Sequence, residues 1–212
     1  MSRDDKSAPI ETADLAATTI PLMFPLMLNV INLPIVLVGG GELPSRFAML
    51  EEFGATDIYV FSVAATEELK NAAGARLAER WPTQEDFERI RPQLMFVADM
   101  DDEQAANLRT QAKRVGALVH VQDRIPLCDF HLPARVRRGH LQVTISTDGT
   151  AAGLSRLIRE FLEKDVFGPE WAGRVDELAA RRLKWKAEGL SFEALSRSIR
   201  EFVTERGWLK RR

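Results

Sequence analysis

The chain is predicted to be an α/β protein: a Rossmann-like parallel sheet, then a small β-hairpin, then a helical C-terminal domain. Three observations predict it. Up to Asp123, apolar runs of strand length (PIVLV, DIYVFSV, LMFVAD, ALVHVQD) alternate with amphipathic or polar-faced helical stretches. That alternation implies right-handed crossovers and a parallel sheet covered on both faces. Next, FHLPARV and HLQVTIS alternate in period two and are joined across Arg137, Arg138 and Gly139, the pattern of an antiparallel hairpin. From Ala151 onward the pattern is helical. The expected boundaries are 21–133 for the sheet domain, 134–152 for the hairpin and 153–212 for the helices.

Residues 1–20 are expected to form a disordered tail. Acidic residues (Asp4, Asp5, Glu11, Asp14) dilute the n-region a signal peptide would need. The apolar stretch Ile20 to Val38 is long enough for a membrane helix, but Pro21, Pro25 and Pro34 would each remove a helical hydrogen bond. It is better read as two short strands, LMLNV and PIVLV, joined at Asn32 and Leu33. GGGELPSRFAMLEEFGA is a glycine turn entering a helix that closes at Gly54. DIYVFSV is a strand and ATEELKNAAGARLAERW a helix. LMFVAD, DEQAANLRTQAKRVG and ALVHVQD are strand, helix and strand. The tail reads as three helices: AAGLSRLIREFLEKDV, PEWAGRVDELAARRLKWKAEG and SFEALSRSIREFVTERGW. Pro169 suits a first turn, Gly189 a helix end and Ser191 an N-cap.

Composition narrows the function. The 212 residues are 45% apolar and 28% charged, which fits a folded globular chain and excludes a disordered or collagen-like one. A net charge of −2 excludes a globally basic nucleic-acid binder. The one cysteine, Cys128, can make neither an internal disulfide nor a thiolate cluster, which fits a reducing cytoplasm.

The turn after PIVLV is the first chemical feature. Gly39 and Gly41 take the first two glycine places of the dinucleotide fingerprint, allowing a tight turn and close approach of a pyrophosphate to the helix N-terminus. Gly40, Glu42 and Leu43 complete the candidate contact. Pro44 stands at the third place, and no Lys-Ser or Lys-Thr follows, so the turn is not a Walker loop. The next strand ends in Ser62, Val63 and Ala64. It carries neither a carboxylate for a ribose 2′-OH nor an Arg or Lys for a 2′-phosphate, which favours NAD over NADP. Ala98 and Asp99 close a later strand on the crevice side, where small residues would leave room for the cofactor. Asp123 follows ALVHV at the carboxyl end of a strand, where open α/β sheets place ligands; from position alone it could equally be a loop-start carboxylate.

Together these segments resemble the precorrin-2 dehydrogenase/sirohydrochlorin ferrochelatase family, the N-terminal module of sirohaem synthases. The resemblance is carried by PLMLNVINLPIVLVGGGELPSRFAMLEEFGA, by FVADMDDEQAAN, and most strongly by HVQDRIPLCDFHLPARVRRGHLQVTISTDGTAAGLSRLIREFLE, over roughly residues 22–165. It implies a dimeric enzyme that oxidises precorrin-2 to sirohydrochlorin with NAD+ and then inserts Fe2+. Asp123 would be the catalytic carboxylate. Gly39 to Leu43 and Ser62 to Ala64 would hold the dinucleotide. The hairpin and the helix after it would form the homodimer, and the helical tail would roof the cleft. The fused methyltransferase has no room in this length, so precorrin-2 would be made elsewhere.

A tetrapyrrole polycarboxylate needs positive charge. Arg135, Arg137, Arg138, Arg156 and Arg159 offer guanidiniums that can bind carboxylates bidentately, against the local acids Asp148 and Glu160; the bland alternative is a solvated turn and an interface salt network. No aromatic platform accompanies them, so nucleic acid is not an expected partner. Ser146 and Thr147 begin STDGT, an anion-friendly loop in which Asp148 replaces the family's usual Gly. His120, His131 and His140 lack metal-site spacing and read as packed or solvated; no metal site is expected. Trp171, Trp185 and the leucines of the tail read as core. Three alternatives stand beside this reading: a dehydrogenase-only member, a different NAD-dependent oxidoreductase on the same scaffold, and a non-enzymatic dinucleotide sensor. The different oxidoreductase would need its own polar site; the hairpin and tail supply no Tyr-Lys pair, and the only tyrosine, Tyr59, lies in a strand.

Overall fold

The structure, a computed structural model, describes residues 22–209; the tail expected over residues 1–20 lies outside them. The chain divides between His131 and Leu132 into two compact units. The first holds β1 (Ile35–Gly39), α1 (Leu43–Glu52), β2 (Ile58–Phe61), α2 (Glu67–Ala73), β3 (Leu77–Ala78), α3 (Gln84–Ile90), β4 (Leu94–Ala98), α4 (Asp102–Arg114) and β5 (Leu118–Val121). The five strands run parallel in the order β3-β2-β1-β4-β5.

β1 and β4 are buried along their whole length because helices cover both faces. Side chains alternate across the pleat. Ile35 and Leu37 pack with Phe47 and Leu50 of α1 and Leu69 of α2. Val36 and Val38 face the other way, onto Phe87 of α3 and Ala105 and Leu108 of α4. The helices start on side-chain caps: Thr66 accepts from the Leu69 N–H, Asp101 from the Gln104 N–H, and Thr83 and Asp86 form a reciprocal capping box.

Three expectations change. LMLNV is not a strand: β1 is central, with β2 and β4 on its two edges, so no ladder is open to it, and Leu26, Met27 and Leu28 are exposed. The long helix ATEELKNAAGARLAERW stops at Gly74, which adopts φ 52, and the chain continues into the two-residue edge strand β3. The unassigned stretch after Trp81 contains α3. Among the described residues no helix is long and apolar enough to cross a membrane.

The second unit holds the antiparallel hairpin β6 (Ala134–Arg138) and β7 (Leu141–Ile145), then α5 (Ala152–Phe161), a π-helical turn (Leu162–Val166), α6 (Glu170–Ala187) and α7 (Phe192–Glu205). Gly139 makes the hairpin turn at φ 56. Ser191 caps α7 as its type suggests, accepting from the Ala194 N–H. Val136, Leu195 and Phe202 are the buried apolar residues described here. Trp185 and Trp208 meet Phe202 edge-on at 6.2 and 5.4 Å, and Arg181 lies over the Phe202 ring at 4.5 Å. Trp185 thus packs as expected, while Leu183 stays exposed.

Candidate active site

The strand order reverses between β1 and β4, where Gly39 pairs with Ala98. Open α/β sheets bind ligands at the carboxyl ends of strands on either side of such a point. The glycine turn, Ala98 and Asp99 therefore share one mouth, and Asp123 opens the loop after β5, the strand beside β4.

The turn is possible because position 39 has no side chain. Gly39 adopts φ +128, and a Cβ there would collide with the Ala98 carbonyl. The Leu43 N–H closes the turn on the Gly40 carbonyl at 2.8 Å. Leu43 and Pro44 are buried, so they seat α1 while Gly41 and Glu42 remain exposed. Glu42 is the N-cap without a side-chain cap bond, and its carboxylate accepts from Ser45 Oγ at 3.3 Å. The Glu42 N–H donates to Asp99 Oδ2 at 3.3 Å. The turn is therefore shaped and polarised for an anion, and a carboxylate of this chain already stands in that role. These features fit the phosphate part of a dinucleotide.

At the end of β2, Ser62 is fully buried and its hydroxyl has no hydrogen-bond partner among the described residues, while Val63 and Ala64, which follow it, are exposed. Gln122 aligns with Ala98 through the β4–β5 register, and its Oε1 is likewise buried without a partner. Gln122 is not among the residues expected at the site; its cue in the sequence is its position, the first residue after β5 and the one before Asp123. Asp99 occupies the space expected to be left open: its backbone is left-handed (φ 50) and its Oδ2 fills the place above Gly41 where a Cβ would project. Asp123 also has a left-handed backbone (φ 58), is exposed, and has no side-chain bond among the described residues.

The residues around Asp123 are structural. His120 packs against Phe96 and Phe130, its Nδ1 is 3.1 Å from the Phe130 carbonyl, and burial pushes its pKa down. Burial pushes the Cys128 thiol up, and its Sγ donates to the Val121 carbonyl at 3.1 Å. Asp129 braces α4 to β5. Burial pushes its carboxyl up, but the Val119 N–H, Lys113 and Arg109 outweigh this and hold it below its ordinary range.

On the second unit, strand alternation splits the arginines. Arg135 and Arg137 share one face of β6, and Arg138 lies on the other, donating to Glu163 Oε1 at 3.2 Å and to the Phe167 carbonyl at 2.9 Å. Arg159 donates to Glu163 Oε2 at 2.6 Å, and Arg156 lies 3.7 Å from Glu160. Glu163 thus holds two of the five candidates. Its cue in the sequence is the i+4 spacing from Arg159. In the loop before α5, Ser146 Oγ accepts from the Asp148 N–H at 3.1 Å. Thr147 Oγ1 accepts from the Ala151 N–H at 3.2 Å and lies 3.1 Å from Ser155 Oγ. Both hydroxyls serve the loop itself.

A family profile described as putative NAD(P)-binding matches residues 26–134, and one described as sirohaem biosynthesis protein central matches residues 138–164. The sirohaem synthase of Psychrobacter sp. (strain PRwf-1) is 32% identical over 158 residues, covering 74% of this chain and 32% of that protein. The sirohaem synthase of Methylococcus capsulatus is 34% identical over 160 residues, covering 74% and 33%. The chain thus spans about a third of the length of the curated relatives it matches. Among solved structures, SirC, precorrin-2 dehydrogenase, superposes with a TM-score of 0.64 at 20% identity, covering 89% of this chain and 93% of that one, so the fold is shared.

Proposed function

Because the chain belongs to the family described as putative NAD(P)-binding and carries beside it a segment matched as sirohaem biosynthesis protein central, we propose that it oxidises precorrin-2 to sirohydrochlorin with NAD+, and that Fe2+ insertion follows. The observation that carries this reading is the pairing of Gly39 with Ala98 at the switch point, with an exposed Asp123 carboxylate, unpartnered among the described residues, at the mouth of the next strand. Gly39 to Leu43 would hold the phosphates, with Ser62, Val63, Ala64 and Ala98 bounding the cofactor. When bound, NAD+ supplies the hydride acceptor.

Asp123 takes the proton the macrocycle loses as the hydride leaves, a general-base role that its exposure allows. The same carboxylate accepts, one after the other, the two pyrrole N–H protons released when Fe2+, a substrate, enters the ring, and its exposure lets it pass each on to solvent. Arg135 and Arg137, with Arg138, Arg156 and Arg159, are assigned to the substrate's carboxylates, and Ser146 and Thr147 to the same anions. The last two assignments require the loop to exchange its internal bonds. α5 exposes Leu154, Leu157 and Phe161 at i, i+3 and i+7, an apolar stripe that supports a homodimer built through this helix. The single cysteine supports a cytoplasmic setting.

Anaerobic incubation with precorrin-2 tests the reading. Sirohydrochlorin should form only when NAD+ is present, and added Fe2+ should then shift the spectrum faster than in enzyme-free solution. Oxidation without acceleration by Fe2+ would leave a dehydrogenase alone. NAD+ binding without oxidation would leave a sensor.

A further inference from the structure

We propose that Asp99 is a built-in competitor for the phosphate place of the glycine turn, and that its charge weakens the hold of this chain on a dinucleotide. The inference rests on the dinucleotide reading above. Asp99 follows Ala98, which pairs with Gly39, so it opens directly into the crevice. Its left-handed backbone leaves the carboxylate lying back over the turn. Oδ2 accepts from the Glu42 N–H at 3.3 Å and fills the space above Gly41.

The neighbouring helix does not need that carboxylate, because α4 is capped by Asp101, which accepts from the Gln104 N–H at 2.8 Å. No cation pairs with Asp99 among the described residues. A phosphate would seek the same place for the same reasons: no Cβ at Gly41, the Glu42 N–H and the positive end of α1. Two neighbouring positions offer it no donor. Pro44 has no N–H, and the N–H of Leu43 is turned to the Gly40 carbonyl. An incoming phosphate must therefore displace Asp99 from the Glu42 N–H. Even displaced, the carboxylate stays tethered beside the turn, because Ala98 before it pairs with Gly39, and Glu42 adds a second anion.

Isothermal titration with NAD+ tests this on the wild-type chain, Asp99→Asn and Asp99→Gly. Asn keeps the volume, tolerates the positive φ and still offers the Glu42 N–H an acceptor, so it removes the charge alone. Both variants should bind NAD+ about tenfold more tightly than wild type, with the gain shrinking as salt screens the repulsion. Adenosine, which lacks phosphate, should bind all three alike. A gain in Asp99→Gly only would make the obstacle steric and overturn the charge proposal. Unchanged or weaker NAD+ binding in Asp99→Asn, with measurable binding to wild type, would overturn it and leave the dinucleotide reading standing. Absence of NAD+ binding by all three would overturn both.

Discussion

The two units of this chain are stabilised in different ways. In the first, five strands and four helices bury an apolar core on both faces of a sheet, with Phe47, Phe87, Ile35 and Val36 closed to solvent. In the second, Val136, Leu195 and Phe202 are the only buried apolar residues described. Its elements are held by Arg138, Arg159 and Glu163, by arginines over aromatic rings, and by hydroxyls within its own loops. The difference teaches where each unit meets the outside. The first closes its core on both faces of the sheet and leaves Asp99 and Asp123 exposed at its carboxyl-edge mouth and Leu26, Met27 and Leu28 exposed before β1. The second leaves a helix face uncovered.

The largest expected effect lies at the mouth. Asp123→Asn suits the positive φ and should leave the fold intact while lowering kcat by about 10²-fold or more, with NAD+ affinity unchanged. Steady-state turnover and titration together check it. Loss of the fold would make Asp123 a structural residue. In the core, Phe87→Ala should cost about 3–5 kcal/mol in denaturant unfolding, through lost burial and the cavity left behind. A much smaller cost would mean the first unit is not self-sufficient. Across the second unit, Leu157→Glu should shift the molar mass in light scattering from dimer to monomer without loss of helicity. An unchanged mass would remove α5 from the interface.

Acid should act on the first unit in two windows. Asp86 is buried, and the Arg80 guanidinium holds its carboxyl well below the ordinary range, helped by Thr83 and Arg89. Its contribution is present above its unfolded value of about 4 and lost as pH falls below it. Replacement by Ala should cost about 2 kcal/mol at neutral pH, since the capping box and the Arg80 pair go together and Arg80 is half exposed. The smallest effect belongs to His120, which burial keeps neutral: its contribution is complete above about pH 6.5 and declines as pH falls below that value. Melting temperatures between pH 7 and 5 should fall less steeply in His120→Phe.

Much of this was legible in the residues. Four of the five parallel strands announce themselves as apolar runs, and the hairpin as alternation. What failed did so for tertiary reasons. LMLNV has strand composition but no free edge beside the central β1. β3 is two residues long, too short to show a period, and lies where a helix pattern runs past Gly74. α3 hides in a charged stretch, where the Thr83–Asp86 capping box is its signal. At the site, positions were legible but directions were not. Spacing placed Asp99 at the crevice, yet only its positive φ shows the carboxylate turned back onto the glycine turn. Spacing likewise gathered five arginines, while the pleat separates Arg138 from Arg135 and Arg137, and Glu163 claims it from 25 residues away.

The measurement that tests the account most directly is the stoichiometry of anaerobic precorrin-2 oxidation by the purified chain, following NADH and sirohydrochlorin in the same cuvette. One NADH should appear for each sirohydrochlorin, at a rate that Asp123→Asn suppresses. Sirohydrochlorin formed without NADH, or NAD+ bound with no conversion at all, would contradict it.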